Sequence, residues 1–281
     1  MIVATLALAA AFAASEPPLP AIARSLPSAP PLAVRFADAP ADPPPAAPAK
    51  DEWVGVFPSV RINRALKTVE FDGTVAWDFH NADTPRTELE LLVCLPMRDK
   101  EHESLVLSKA KGTHVHAALL MVGLEPGTPG RLDFSGDGGN QVKRIAPTGP
   151  AVSVRFCYQK NGIEATDPAM SWVTDERPER PAPSLVFGGS SIGQMRNPQG
   201  DRVTTYNADE LGTLIGLCTF GSETIGLTSV VSPDSGLDAP RFIGNNTAIP
   251  PADTAVRVRI TAEPTTLPAP AAPQQPATRV Q

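Results

Sequence analysis

The residues best suited to chemistry lie in one segment, residues 100–127, which reads KEHESLVLSKAKGTHVHAALLMVGLEPG. The segment contains three of the four histidines, His102, His114 and His116, and Glu103 follows the first of them. Imidazole and carboxylate groups are the usual ligands of zinc and similar divalent ions. Two hypotheses follow: a site for a divalent metal or another small ligand, and a hydrogen-bonded corner that only fixes the fold.

The spacing of His114 and His116 decides which residues can act together. Both lie in a predicted helix, and side chains two positions apart on a helix point about 200° away from each other. They cannot both face one ion, whereas His116 could meet His102 or Glu103 across a corner between strand and helix. We therefore predict His102, Glu103 and His116 as the candidate ligand-binding or metal residues, and we assign no catalytic residue.

The region 51–262 is predicted to be one domain made mostly of strands. Its short runs of Val, Ile, Leu and Thr are separated by Gly, Pro, Asn and Asp, which is typical of strands joined by turns. The clearest run, KTVEFDGTVAW at 67–77, is interpreted as a hairpin with a type I′ turn at Asp72 and Gly73.

Only one segment strongly predicts a helix. Thr113 is a suitable cap, the following residues are apolar on almost every side, and Gly123 is suited to ending the helix. Such a short apolar helix is expected to be buried against a sheet. The predicted fold class is α+β, predominantly β, with antiparallel sheets and one short buried helix at about 113–123.

The two ends of the chain have a different composition from the centre. Residues 1–15 form an apolar run that predicts a signal peptide, the alternative being a buried N-terminal helix. Many of the 32 prolines lie in residues 16–50 and 263–281, which we predict to be a disordered Pro/Ala-rich tether and a disordered tail. The chain is thus expected to be exported to the periplasm or the cell exterior, with no transmembrane span after cleavage.

The charge and the cysteines exclude several classes of function. A formal net charge of -6 without a basic run argues against nucleic acid as a partner, so we expect a protein or a component of the cell envelope. The three cysteines, Cys94, Cys157 and Cys218, lie in apolar surroundings and are predicted to be packed free thiols without a disulfide.

No catalytic constellation is recognisable in the sequence. VFGGSSIG at 186–193 lacks the GxSxG spacing of a nucleophilic serine. A hydrolase using Glu103 or His102 as general base is the least favoured alternative, because the expected export and the few ionisable residues suit a structural or binding role better. Its base would have to lie within about 3 Å of the proton it takes.

Several segments together resemble the bacterial YdjY-domain family. His-Glu-Ser at 102–104, His-Ala-Ala-Leu-Leu at 116–120 and the Gly-x-x-Pro-Gly exit at 123–127 match elements of that family in the same order. The resemblance extends over roughly 54–262. It includes, more loosely, VRINRALKTVEFDGTV, LVFGGSS and the region of Tyr206, Asp209 and 212–216.

The resemblance implies little about activity, because the family is essentially uncharacterised. Some of its members carry a ferredoxin-type label, but three isolated cysteines cannot supply the four thiolates of an iron–sulfur cluster, and we expect none here. The sequence predicts an exported, non-enzymatic domain with a structural or interaction-mediating role. The alternative is a metal- or small-ligand-binding envelope protein that uses His102, Glu103 and His116.

Overall fold

The computed structural model describes most of the central region in five stretches, namely residues 52–82, 86–96, 99–135, 142–196 and 198–264. The predicted signal peptide, the tether and nearly all of the predicted tail lie outside these residues. Neither of the helices described has the length and apolar character that crossing a membrane would require.

Strands dominate the described residues. In chain order the elements are β1 (Val54–Phe57), β2 (Val60–Asn63), β3 (Thr68–Val75), β4 (Glu88–Leu89), β5 (Leu91–Cys94), β6 (Ser104–Ser108), α1 (Gly112–Met121), β7 (Arg131–Asp133), β8 (Lys143–Ile145), β9 (Ala151–Lys160), β10 (Ile163–Pro168), β11 (Val173–Asp175), β12 (Leu185–Phe187), β13 (Ile192–Arg196), β14 (Arg202–Tyr206), α2 (Asn207–Leu211), β15 (Thr213–Gly216), β16 (Ile225–Leu227), β17 (Phe242–Gly244) and β18 (Ala255–Ala262). Short 3-10 turns at Glu101–Glu103 and Ala169–Trp172 precede β6 and β11.

Eight of these strands close into a barrel in the order β3, β18, β9, β12, β16, β15, β5, β6, and pairing of β6 with β3 completes the ring. Most neighbours are antiparallel, but β5 with β6 and β15 with β16 are parallel. The predicted α+β class with antiparallel sheets is therefore wrong, although the predominance of strands is right. The physical reason is that a ring of strands encloses its own core and leaves no open edges, so no helical layer is needed to cover a sheet face.

The predicted hairpin at Asp72 and Gly73 is also wrong, because β3 runs straight through both residues. At this point β3 exchanges its partner on one edge: Phe71 pairs with β2, whereas Gly73 pairs with β6. A Cβ atom at Gly73 would lie 2.6 Å from the carbonyl oxygen of Leu107. Glycine here permits the close approach of strands that closes the barrel.

A two-residue turn of the kind predicted for that hairpin lies elsewhere, between β9 and β10. Asn161 and Gly162 both have positive φ, 55° and 78°. This conformation matches the right-handed twist of the strands it joins.

Helix α1 ends at the predicted glycine, but it begins at Gly112, one residue before the predicted cap Thr113. Gly123 has φ 83°, and the amide groups of Gly123 and Leu124 donate to the carbonyls of Leu120 and Leu119 at 2.9 and 3.1 Å. This glycine-terminated pattern satisfies the last helical carbonyls. Leu120 and Met121 are exposed, so α1 is buried on one face only and not on all sides.

The two ends of the barrel differ in character. We call the end where β5 and β6 begin and β15 and β16 finish the cavity end, because the cavity near Glu90 and Glu103 lies there. The opposite end, which we call the helix end, carries α1 and α2. The core between them is apolar and well buried, including Phe71, Phe156 and Phe187.

Candidate functional site

A cavity of about 230 Å³ lies at the cavity end of the barrel. Residues just before β5 and β6, just after β15, and in the loop that follows β16 line it. Its ionisable lining consists of Glu88, Glu90, Glu103, Cys218, Asp238 and Arg241. Mouths of barrels that combine apolar walls with a few convergent polar groups are common ligand sites.

A larger cleft of about 560 Å³ lies at the helix end, beside Lys109, Lys111 and Asp209. The Asp209 carboxylate in this cleft has a structural role, because it accepts hydrogen bonds from the backbone amides of Gly112 and Thr113. We therefore take the smaller cavity as the candidate site.

The backbone fixes Glu90 firmly between β4 and β5. Its amide donates to the carbonyl of Glu103 at 2.9 Å, and its carbonyl accepts from the amides of Leu217 and Cys218, both at 2.9 Å. Three chain segments thus meet at this residue. The Glu90 side chain is consequently held at the cavity wall, where only 15% of it is exposed.

Lys100 joins the two glutamates that line the cavity. Its ammonium nitrogen lies 2.6 Å from Glu90 Oε2 and 3.1 Å from Glu103 Oε2. The same nitrogen lies 5.2 Å from the centre of the Phe220 ring, a distance at which the ring face attracts a cation. Two carboxyl groups and an aromatic face therefore surround one ammonium group.

Glu90 and Glu103 share their proton unequally. Burial, together with the hydrogen bond to Glu103, raises the pKa of Glu90 to about 7, although Lys100 opposes the shift. Burial also acts to raise the pKa of Glu103, but hydrogen bonds from Glu90 and Lys100 outweigh it and the pKa is lowered. Near neutral pH the proton that the pair retains therefore lies on Glu90, which is partly protonated, while Glu103 is ionised.

The structure brings two of the three predicted site residues together. His102 adjoins Glu103, with Nε2 3.6 Å from Oε1, and the His102 side chain is 59% exposed. This separation is too long for a hydrogen bond. Glu103 lines the cavity, so it is the predicted residue that lies in the candidate site.

His116 lies at the helix end, beyond the far end of β6. Four steps along that strand cover roughly 13 Å at about 3.3 Å per residue, so His116 does not share a site with His102 and Glu103. Within the described stretches of chain, no group of three or more His, Cys, Asp or Glu residues is placed to hold a metal ion.

His116 instead belongs to a hydrogen-bonded network. Its Nδ1 lies 2.9 Å from the hydroxyl of Tyr206, which donates to the carbonyl of Gly189 at 3.2 Å and lies 3.0 Å from the hydroxyl of Thr224. Burial lowers the pKa of His116 and raises that of Tyr206 to about 12, so both are neutral at physiological pH. The network ties α1 to the start of α2 and to the loop after β12 (Phe187).

Sequence reasoning did not identify Glu90, Lys100 or Tyr206 as site residues. Glu90 is embedded in the strand-like run ELELLVCLP, where alternation with apolar residues indicates only a polar face. Lys100 lies three residues before Glu103, and this spacing is a sequence signal for pairing of the two side chains. Tyr206 was included in the loose resemblance, without a role.

With this geometry established, comparison with known proteins adds the family. The model of the YdjY domain matches residues 60–261, which is well over half of the chain. The chain belongs to the YdjY domain family. The match covers β2 to β18, so the whole barrel of this YdjY domain and its cavity lie inside it, and the resemblance seen in the sequence is confirmed. No curated protein and no solved structure matches the chain.

Proposed function

We propose that this YdjY-domain protein is an exported, non-enzymatic binding protein that holds a small polar ligand at the cavity end of its barrel. The observation that carries this proposal is the proton-sharing pair Glu90 and Glu103 in the wall of a cavity of about 230 Å³. Perturbed ionisable groups in a concave site are typical of functional sites.

The construction of the cavity supports a binding role. Glu90 is fixed by three backbone hydrogen bonds, so the wall is rigid before a ligand arrives. Preorganisation of this kind lowers the entropic cost of binding. Ser232 and Ser235 add hydroxyl groups to the lining.

The ion pairs around the cavity support the non-enzymatic part of the proposal. Arg241 is held by Asp175 and Glu179, each at 2.6 Å, and Asp238 is held by Arg144. These charged groups already form ion pairs with other side chains of the protein, so they are poorly placed to act on a ligand. We therefore expect the ligand to be recovered chemically unchanged after incubation with the protein, as mass spectrometry would show.

The apolar run at residues 1–15 supports export. The expected result is that the mature protein in the periplasm or medium lacks this run, which N-terminal sequencing would test. A chain that stays in the cytoplasm with residues 1–15 intact would contradict the exported role.

The binding role is tested with a library of small polar solutes and the full chain. Thermal shift would be measured for the parent, for Ser235→Trp, which fills the cavity from an exposed lining position, and for Gln194→Trp, an exposed control on β13. We expect at least one solute to stabilise the parent and the control, but not Ser235→Trp. If no solute distinguishes the blocked variant from the control, the proposed binding site is wrong.

A further inference from the structure

Building on the proposed function, we infer that the ligand is a small organic cation whose ammonium group binds on the cavity side of Glu90 and Glu103. The inference rests on the charges that face the cavity, on the way the pair already holds an ammonium group, and on the proton the pair shares.

The lining of the cavity is negative overall. Glu88, Glu103 and Asp238 contribute carboxylates, Glu90 contributes a group that is partly ionised, and Arg241 is the one cation among the lining residues that the structure describes. The charge of Arg241 is already neutralised, because Asp175 and Glu179 both bind its guanidinium group at 2.6 Å.

Asp238 and Glu88 differ in how far an arginine neutralises their charge. Asp238 is neutralised by Arg144, which donates to its Oδ1 at 3.0 Å. Glu88 has a long ion pair with Arg86, at 3.9 Å, and both side chains are about half exposed. The negative potential in the cavity therefore comes from Glu88 and, when Glu90 is ionised, from the Glu90–Glu103 pair, whose two charges exceed the single charge of Lys100. This potential favours a cation.

Lys100 shows what chemistry the pair accepts. Its ammonium group approaches from outside the cavity lining and uses Oε2 of both glutamates. The Oε1 atoms do not bond to Lys100. Glu103 Oε1 lies 3.6 Å from Nε2 of His102, a further titratable group beside the pair, and both glutamates also line the cavity. We expect an ammonium group in the cavity to bind these carboxylates without displacing Lys100.

Binding of a cation is linked to the proton of the pair. A second ammonium group favours the state in which Glu90 and Glu103 are both ionised, so it displaces the proton held by Glu90. Because the pKa of Glu90 is raised to about 7, mainly by burial, this release takes place near neutral pH. Cys218 also faces the pair, but burial raises its pKa to about 12 and it stays protonated. Affinity should therefore rise as the pH rises through about 7.

The test uses three four-carbon probes that carry two ammonium, two hydroxyl or two carboxylate groups: putrescine, 1,4-butanediol and succinate. Isothermal titration calorimetry of the full chain would give the affinity at about pH 6 and about pH 8, and two buffers of different ionisation enthalpy would give the protons released. We expect putrescine to bind at least ten times more tightly than the other two. We also expect its affinity to increase several-fold between the two pH values.

Two variants make the test specific. Glu90→Gln should bind putrescine more weakly and lose the pH dependence and the proton release, because its amide cannot ionise. Glu164→Gln, which removes an exposed carboxylate distant from the cavity lining, should bind like the parent. Circular dichroism would check that Glu90→Gln is folded. If that variant does not fold, Glu88→Gln at the exposed rim serves instead and should weaken putrescine binding.

The outcomes separate the inference from the proposed function. If succinate or butanediol binds in the cavity, as shown by loss of binding in Ser235→Trp, and putrescine does not, the binding role stands and the cationic ligand is wrong. Putrescine binding that survives Ser235→Trp, or that does not change with pH in the parent, also overturns the inference. If neither the three probes nor the solute library binds at the cavity, the proposed function itself fails.

Discussion

At the scale of single residues, Glu90 shows how burial changes the chemistry of a carboxyl group. Its backbone is bonded to Glu103, Leu217 and Cys218, and its side chain lies in the cavity wall with only 15% of it exposed. Burial then raises its pKa to about 7. The contribution of Glu90 to stability is fully present below its ordinary pKa near 4.5 and is lost as the pH rises through about 7.

Glu90→Gln is expected to reduce that pH dependence. The amide stays neutral, so the unfolding free energy of the variant relative to the parent should increase between about pH 5 and about pH 8, by at most about 3 kcal/mol. Chemical denaturation at the two pH values measures the change. Glu164→Gln is the matched control and should show no such trend. An equal pH trend in parent and Glu90→Gln would mean that Glu90 is ionised throughout.

The sequence could indicate one member of this pair but not the pair. Glu103 is recognisable as a candidate because it adjoins a histidine in a family-like motif. The elevated pKa of Glu90 comes mainly from its burial. Glu90 is held in this buried position partly by the amides of Leu217 and Cys218, which bond to its carbonyl across more than a hundred positions of the chain. No local pattern encodes such a contact, so a glutamate in a strand-like run gives no sign that it is buried.

At the scale of elements, the joints between strands and helices depend on residues supplied from far along the chain. Lys111 precedes α1 and makes no side-chain capping bond. Asp209 of α2 takes that role, accepting from the amide of Gly112 at 2.5 Å and from the hydroxyl of Thr113 at 2.8 Å. The predicted capping residue Thr113 is therefore a donor to the actual cap.

Asp209→Ala should destabilise the protein by about 1–2 kcal/mol, because the first amides of α1 lose their acceptor. Asp209→Asn should cost less, since the amide oxygen can still accept a hydrogen bond. Urea denaturation measures both, and Glu210→Ala provides the adjacent control. Equal stability of Asp209→Ala and Glu210→Ala would show that the cap contributes nothing.

Gly73→Ala tests the pairing of β3 with β6, which closes the barrel. The added methyl group would lie 2.6 Å from the carbonyl oxygen of Leu107 and 2.7 Å from the Val106 side chain, so β3 and β6 would have to separate. We expect a loss of about 2 kcal/mol or more in unfolding free energy.

Gly55→Ala is the control for that substitution, because nothing lies within 4 Å of a Cβ atom at Gly55. Its stability should change little. If Gly73→Ala has the same melting temperature as the parent, glycine is not required for the close approach of β3 and β6.

The elements also show which local signals can be trusted. Gly123 ends α1 as expected, because a positive φ at that position is a local requirement that glycine meets. Asp72-Gly73 and Asn161-Gly162 are equally good turn sequences, yet only the second pair forms a two-residue turn. The difference arises because β6 packs against Gly73, a distant contact that outweighs the local preference.

At the scale of the whole molecule, closure of the barrel explains why the fold class was mispredicted. Short strands, turns and one helix are compatible with both an open sheet and a ring. The choice depends on whether β6 pairs with β3, which lies about thirty residues earlier and is not its sequence neighbour. The strand-rich composition was predictable, whereas the ring was not.

The burial of the thiols gives a test of the molecule as a whole. Cys94, Cys157 and Cys218 are free and buried, and burial raises the pKa of Cys94 and of Cys218 to about 12. We expect the native protein to resist alkylation by iodoacetamide and the denatured protein to take up three labels, as counted by mass spectrometry. Rapid labelling of the native protein would show that the barrel opens easily, and a missing label after denaturation would point to oxidation.

The placement of the Glu90–Glu103 pair and the His116–Tyr206 network at opposite ends of β6 has a consequence for how this protein can vary. Groups that far apart and without common neighbours contribute additively to stability. Changes around α1 should therefore leave ligand preference at the other end unaltered. One end is free to diversify, or to carry an engineered label, while the other keeps its chemistry.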